Sequence, residues 1–254
     1  MKLARDIWLI YQRYLGILLR NPAWVIIGVL QPVLYLLLFA PLLKQSPTAA
    51  TWPGGPYNFF VPGLLVQLGL FGAAGVGFSL IAELRYGVVE RFRVTPVSRL
   101  ALLLGRAARD ITTLMVQSLL LIILALPFGL TINVTGVVVM LALVALIGLG
   151  MASISYALAL KLRSEDSYAP LVFTASLPLL LLSGVLLPLT SRTAPGWLID
   201  IADVNPLKYA VDAAREIFKD NLGASAVFTG VGLMAAICAV TIVWAARSFS
   251  RAVA

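Results

Sequence analysis

Runs of about 20 apolar residues follow one another through this chain, and no other feature limits its fold so strongly. Six can be read, at residues 23–43, 59–82, 111–130, 134–160, 168–189 and 224–246. At a helical rise of about 1.5 Å per residue each can cross roughly 30 Å of hydrocarbon. Residues 134–160 exceed that need and are expected to tilt. Composition agrees: 61% of the 254 residues are hydrophobic and 12% are charged. A soluble domain carries about twice that charge. An all-α membrane protein with six transmembrane helices in one domain, 1–254, is expected.

Six spans place both termini on one side of the membrane. That side would hold Lys2, Arg5, Arg13, Arg20, Arg85, Arg91, Arg93, Arg99, Arg106, Arg109, Lys161, Arg163, Arg247 and Arg251. The opposite side keeps Lys44, Arg192, Lys208, Arg215 and Lys219. Fourteen cations against five predicts cytoplasmic termini by the positive-inside rule. The net charge of +8 is thereby a property of the loops and does not point to nucleic acid. Residues 83–110 carry six of the arginines. Burying all six in lipid would cost on the order of 15–20 kcal/mol, so this segment is expected to be a cytoplasmic loop.

Two further segments have helical patterns of their own. In residues 1–22, Leu3, Ile7, Trp8, Ile10, Tyr11, Tyr14, Leu15, Ile17 and Leu18 share one half of a helical wheel. Lys2, Arg5, Asp6, Gln12, Arg13 and Arg20 share the other. This predicts an amphipathic helix at the cytoplasmic interface, its cations towards lipid headgroups. Asn21-Pro22 would turn the chain into the bilayer. On the outer side, Asn205-Pro206 in the 191–223 segment reads as a helix cap followed by proline at the first helical position. A short amphipathic outer helix is expected there, stopped by Gly223.

Several chemistries are excluded. With no histidine and a lone cysteine, Cys238, there are no disulfides, Cys/His metal sites or Ser-His-Asp triads. No Gly-x-x-x-x-Gly-Lys-Ser/Thr loop is present to cradle a phosphate, and no acidic motif suggests a metal site or a membrane-embedded transferase. The middles of the spans hold no charge, which argues against an ion-coupled transporter or a channel. The spans do hold amides and hydroxyls, most of them expected to pack helices. Gln67 and Gln117 are the first candidates for lining a pathway, followed by Thr113, Ser153 and Ser176. Gly69, Ala73 and Gly77 recur every four residues and predict close approach of another helix, from the same chain or from a partner.

Within the charged loop, Leu84, Val88, Val89 and Phe92 form an apolar stripe ringed by Glu83, Arg85, Glu90, Arg91 and Arg93, and Thr95-Pro96 ends it. Such a loop can dock another protein or simply fix topology; the residues alone leave both open. The stretch GVVERFRVTPVSRLALLLGR resembles the cytoplasmic loop of type-2 ATP-binding cassette (ABC) transporter permeases, and most of all the daunorubicin-resistance exporter group. Gly87, Glu90, Arg91, Thr95, Pro96, Ser98 and Arg99 match that pattern. Glu83-Leu84-Arg85 departs from it, standing where Glu-Arg is expected. VPGLL at the head of the second span and NPLKYAVDAAR before the last extend the likeness over nearly the whole chain.

The resemblance implies a permease subunit that exports amphipathic drug-like or lipid-like molecules, with polysaccharide or glycolipid export as the alternative. It implies a coupling helix in the loop (Glu83, Arg85, Gly87, Glu90, Arg91, Phe92, Arg93, Thr95, Pro96 and Arg99) that docks a separate ATP-binding cassette ATPase. ATP and Mg would be held by that partner, and this chain would carry no cofactor. A homodimer, or a heterodimer with a related permease, in a prokaryotic cytoplasmic membrane is implied as well.

Overall fold

The computed structural model describes residues 2–20, 23–43, 52–88, 97–186 and 194–252. Among these it is helical, with no strand. The helices are α1 (Lys2–Arg20), α2 (Ala23–Leu43), α3 (Gly55–Ala74), α4 (Val76–Arg85), α5 (Arg99–Ala125), α6 (Val134–Leu162), α7 (Glu165–Leu181), α8 (Gly196–Val204), α9 (Pro206–Phe218) and α10 (Ser225–Ala252). A single 3-10 turn, Leu126–Phe128, follows α5.

Caps mark where these helices begin and end. Ser98 Oγ accepts the Ala101 N–H at 3.1 Å and starts α5. Asn133 does the same for α6, taking the Gly136 N–H at 2.6 Å. Asn205 caps α9 through the Leu207 N–H, with Pro206 next, as the sequence pattern predicts. Gly54 and Gly55 take left-handed φ values of 80° and 85° ahead of α3, a turn that side-chain-bearing residues avoid.

Four described stretches are long and apolar enough to cross a membrane: Gly55–Arg85, Leu100–Phe128, Val134–Leu162 and Ser225–Phe249. The bent pair α1–α2 brings the number to five if it is counted as one span. This differs from the six expected. Of the 168–189 segment, residues 168–181 lie in α7, a 17-residue helix that ends at Leu181 and contains Pro170 and Pro178, and residues 187–189 lie outside the described residues. The second span is split at Gly75 between α3 and α4. The third begins well before residue 111, because Ser98 caps the helix at Arg99 and no breaker follows. What was expected to be loop down to residue 110 is therefore helix from Arg99 onward, and Arg106 and Arg109 lie on it.

The bundle is built around α3. Every residue from Tyr57 to Leu70 is buried, as an all-apolar helix at the centre of a bundle should be. One core cluster joins α3 to α6 and α9 through Phe60, Leu64, Val144, Val211 and Ile217. A second, towards the α1 side, gathers Ile10, Tyr14, Leu80, Leu102, Tyr156, Tyr168 and Phe249. The outward surface stays greasy: Ile26, Ile27, Leu30 and Leu38 on α2, Leu171, Phe173 and Leu177 on α7, and Phe228 and Val240 on α10 are all exposed. Apolar area this extensive belongs in lipid or against another helix.

Close helix approach depends on a few glycines. A Cβ on Gly69 would stand 3.1 Å from Ile147, so this face of α3 meets α6 of the same chain. Gly105 lets Ile10 of α1 settle on α5. Gly230 of α10 lies against the Tyr209 carbonyl and the Ala213 methyl of α9, where a Cβ would come within 2.6 Å of that methyl. Because a backbone carbonyl cannot step aside, Gly230→Val should destabilise the fold by about 1–3 kcal/mol through overpacking. The expected result is a lower thermal midpoint in detergent, and an unchanged midpoint would show that α10 packs elsewhere.

Candidate functional site

The arginine-rich segment leaves α4 at Arg85 and re-enters the bundle on α5 at Arg99. Its base is held by charge. Arg106 on α5 pairs with Glu83 on α4, and the Tyr14 hydroxyl of α1 donates to the same Glu83 carboxylate at 2.9 Å. The Arg106 guanidinium also sits over the Tyr14 ring, 4.8 Å from its centroid. Arg106 is only 3% exposed and Glu83 20%. One turn further along α5, Asp110 is buried and takes a hydrogen bond from the Tyr156 hydroxyl of α6. Arg109 Nη1 lies 3.0 Å from Asp110 Oδ1. The Tyr11 and Thr112 hydroxyls, 3.2 Å apart, fasten α1 to α5 once more.

The four charges sum to zero, two guanidinium groups and two carboxylates on touching helices. That is how charge is tolerated near a bilayer, by pairing, although the Nε atoms of Arg106 and Arg109 have no hydrogen-bond partner among the described residues. Arg106 and Asp110 stand within the Leu100–Phe128 span, so the expectation of spans free of buried charge is corrected. Sequence reasoning assigned both to a loop. The available signal was the spacing Arg106, Arg109, Asp110, which stacks the three on one helical face if the helix starts at Ser98.

The remaining loop residues divide cleanly. Arg85 is exposed and lies 3.7 Å from Glu165, a surface pair that contributes little. Gly87 has φ 66°, a left-handed turn just past α4 that suits glycine. Arg99 is the first residue of α5. Glu90, Arg91, Phe92, Arg93, Thr95 and Pro96 lie outside the described residues.

The pathway candidates are dispersed. Gln67 on α3 is 2% exposed, and its Oε1 has no hydrogen-bond partner among the described residues. Gln117 Nε2 donates to the Val25 carbonyl of α2 at 3.2 Å. Thr113 and Ser153 bond back to the carbonyls of Arg109 and Leu149 on their own helices. Ser176 is buried on α7. Gly69 faces Ile147, Gly77 faces the Tyr168 phenol, and Ala73 is fully buried.

At the α9 end of the bundle a second cation is buried. Arg215 of α9 donates from Nη2 to the Gly184 carbonyl at 2.7 Å and from Nε to the Phe59 carbonyl at 3.4 Å. Its guanidinium lies 4.1 Å from the centre of the Phe59 ring. Burial pulls its pKa down to about 10, against the pull of Asp212 in the other direction. Beside it opens a cavity of about 430 Å³ lined by Asn58, Thr131, Asn133, Lys219 and Asp220 among others. None of the pathway candidates lines this cavity.

An apolar helical bundle with paired charges between neighbouring helices is the architecture of a membrane protein, and comparison with known proteins places it more closely. Residues 5–219 match the ABC-2 type transporter family, and the chain belongs to it. It is a multi-pass membrane protein of permease type. Among similar proteins are a putative transport permease, ycf38, of Porphyra purpurea, 28% identical over 222 residues (86% of this chain and 76% of that protein). The corresponding ycf38 permease of Cyanophora paradoxa is 28% identical over 220 residues, 84% of this chain and 74% of that one. The daunorubicin resistance ABC transporter permease protein DrrB1 of Streptomyces coeruleorubidus is also 28% identical over 220 residues, covering 86% and 75%.

Proposed function

We propose that this chain is the transmembrane subunit of an ATP-driven exporter in a prokaryotic cytoplasmic membrane. The observation that carries the reading is the braced loop base, where Glu83, Arg106 and Tyr14 tie both ends of the loop to α1. A loop that only fixed topology would not need its two ends locked together. A loop that receives force from a separate ATPase would. In this reading 86–98 is the docking element, Phe92 is its buried anchor, and Glu90 and Arg91 set register at the rim. Two copies, or one copy and a related permease, enclose the pathway. The exposed apolar faces of α2 and α7 offer a surface for that contact. Cargo is amphipathic and drug-like or lipid-like. Its support is the drug-resistance relative and a pathway whose candidate groups, Gln67 above all, are neutral.

Co-expression with an ATP-binding cassette subunit tests this directly. The expected product in mild detergent has two permeases and two ATPases, and in vesicles it accumulates hydrophobic cations only with ATP. Phe92→Ala should weaken ATPase capture at least tenfold, since a central aromatic anchor is worth about 2 kcal/mol or more. Transport by the lone chain would overturn the proposal. Stimulation by a sugar polymer alone would replace drug-like cargo with a glycan.

A further inference from the structure

The second span is broken, and side chains of two other helices fill the break. α3 ends at Ala74, α4 begins at Val76, and Gly75 lies between. In an unbroken helix the Phe78 N–H would bond the Ala74 carbonyl. Here it turns to the Gly75 carbonyl at 3.2 Å, a tighter 3-10 arrangement. The Ala74 carbonyl accepts instead from the Tyr168 phenol of α7 at 2.6 Å and from Ser155 Oγ of α6 at 3.1 Å. The Gly77 N–H donates to Ser155 Oγ at 2.8 Å. Backbone groups released within a bilayer must find such partners.

Glycine at 75 is not there for space. A Cβ on Gly69, Gly72 or Gly77 would press on Ile147, Leu114 or Tyr168. At Gly75 a Cβ would meet, among the described residues, the Phe71 carbonyl oxygen at an ordinary 3.8 Å. Nor is it there for conformation, because φ −75° and ψ −14° suit any residue. What glycine does here that alanine would not is make leaving the helix easy.

We propose that Gly75 is a hinge about which α4 swings against α3, with Tyr168 and Ser155 as positioning residues that hold the hydrogen-bond ladder open. α4 is 10 residues long, about 15 Å of rigid helix. Its far end is bound through Glu83 to Arg106 and Tyr14, so it moves with α1 and the start of α5. Across the break the partners can be exchanged. The Tyr168 and Ser155 hydroxyls lie 2.5 Å apart. When the ladder closes and the Phe78 N–H reaches the Ala74 carbonyl, the phenol can donate to Ser155 in its place. What drives the swing rests on the proposed ATPase partner; the hinge itself does not.

The test places spin labels at exposed Ser79 on α4 and exposed Val138 on α6, in a Cys238→Ala background carrying Ser79→Cys and Val138→Cys. The complex with the ATPase is measured without nucleotide and with trapped ATP. The label distance is expected to shift with ATP, and Gly75→Ala should narrow the distribution and remove the shift. Transport should fall at least fivefold in that variant while ATPase capture persists and the thermal midpoint holds or rises. Tyr168→Phe keeps the ring, which lies edge-on to Phe78 at 4.9 Å, and loses only the hydroxyl. It should move the nucleotide-free distance towards the ATP-bound value and raise ATP hydrolysis without cargo. If Gly75→Ala shifts and transports like its parent, or the parent captures its ATPase yet never shifts, the hinge is wrong. If no ATPase binds at all, the functional reading fails, and equal nucleotide-free widths for parent and Gly75→Ala would then reject the hinge separately.

Discussion

Arg106→Met should lower the stability of the detergent-solubilised protein by about 3 kcal/mol, the lower end of the cost of halving a buried ion pair. The lower end applies because Glu83 is 20% exposed and keeps the Tyr14 hydroxyl. Methionine fills much of the volume, so the loss reports charge and hydrogen bonding more than packing. Glu83→Gln in the same background should restore part of the loss by removing the stranded carboxylate. The single and double variants together give the coupling energy of the pair. Additive effects in that cycle would mean that the two side chains do not meet in the membrane. Because the pair closes the loop base, Arg106→Met is also expected to retain some ATPase capture while transport falls further than capture does.

The α9 end of the bundle should respond as strongly to Arg215→Ala. That change strips a donor from the Gly184 and Phe59 carbonyls and removes the cation from the Phe59 ring. The buried Gly184 carbonyl left without this donor costs about 1–3 kcal/mol, and the Phe59 carbonyl, inside helix α3, loses only its second donor, so a total of roughly 2–4 kcal/mol is expected. Arg215→Lys should fall between alanine and the parent, since an ammonium lacks the fork that spans two carbonyls. Thermal unfolding of the three proteins in one detergent makes the comparison. Equal midpoints for Arg215→Ala and the parent would show that α9 is held by its apolar face alone. With Gly184 following α7 and Phe59 on α3, the same residue fastens α9 to both, so limited proteolysis of the outer segment should accelerate in the alanine variant.

Hydropathy, helical periodicity and cap residues were enough for an all-α membrane protein, for the start of α9 at Asn205-Pro206 and for the amphipathic character of α1. Each of these depends on residues close in sequence, where a cap, a proline or a three- to four-residue repeat acts locally. Orientation in three dimensions does not. Tyr14, Glu83 and Arg106 come from three helices far apart in the chain, and whether Arg106 faces lipid, water or Glu83 depends on how those helices pack. The sequence showed an arginine-rich stretch and the cost of placing it in lipid. Only the tertiary structure supplied the partners that remove that cost for Arg106.

The same division explains Gly69, Gly75 and Gly77. Their small size is plain in the sequence, and the four-residue repeat of Gly69, Ala73 and Gly77 announces a close contact. That Gly69 meets Ile147 of the same chain, that Gly77 makes way for Tyr168, and that Gly75 has open space beside it are properties of neighbours contributed by α6 and α7. A glycine in sequence is a permission, and the surrounding helices decide whether it is used for contact or for bending. The helices and their apolar faces were thus determined locally by the chain, while the buried charge balance, the break in the second span and the anchoring of α9 through Arg215 were decided by long-range packing.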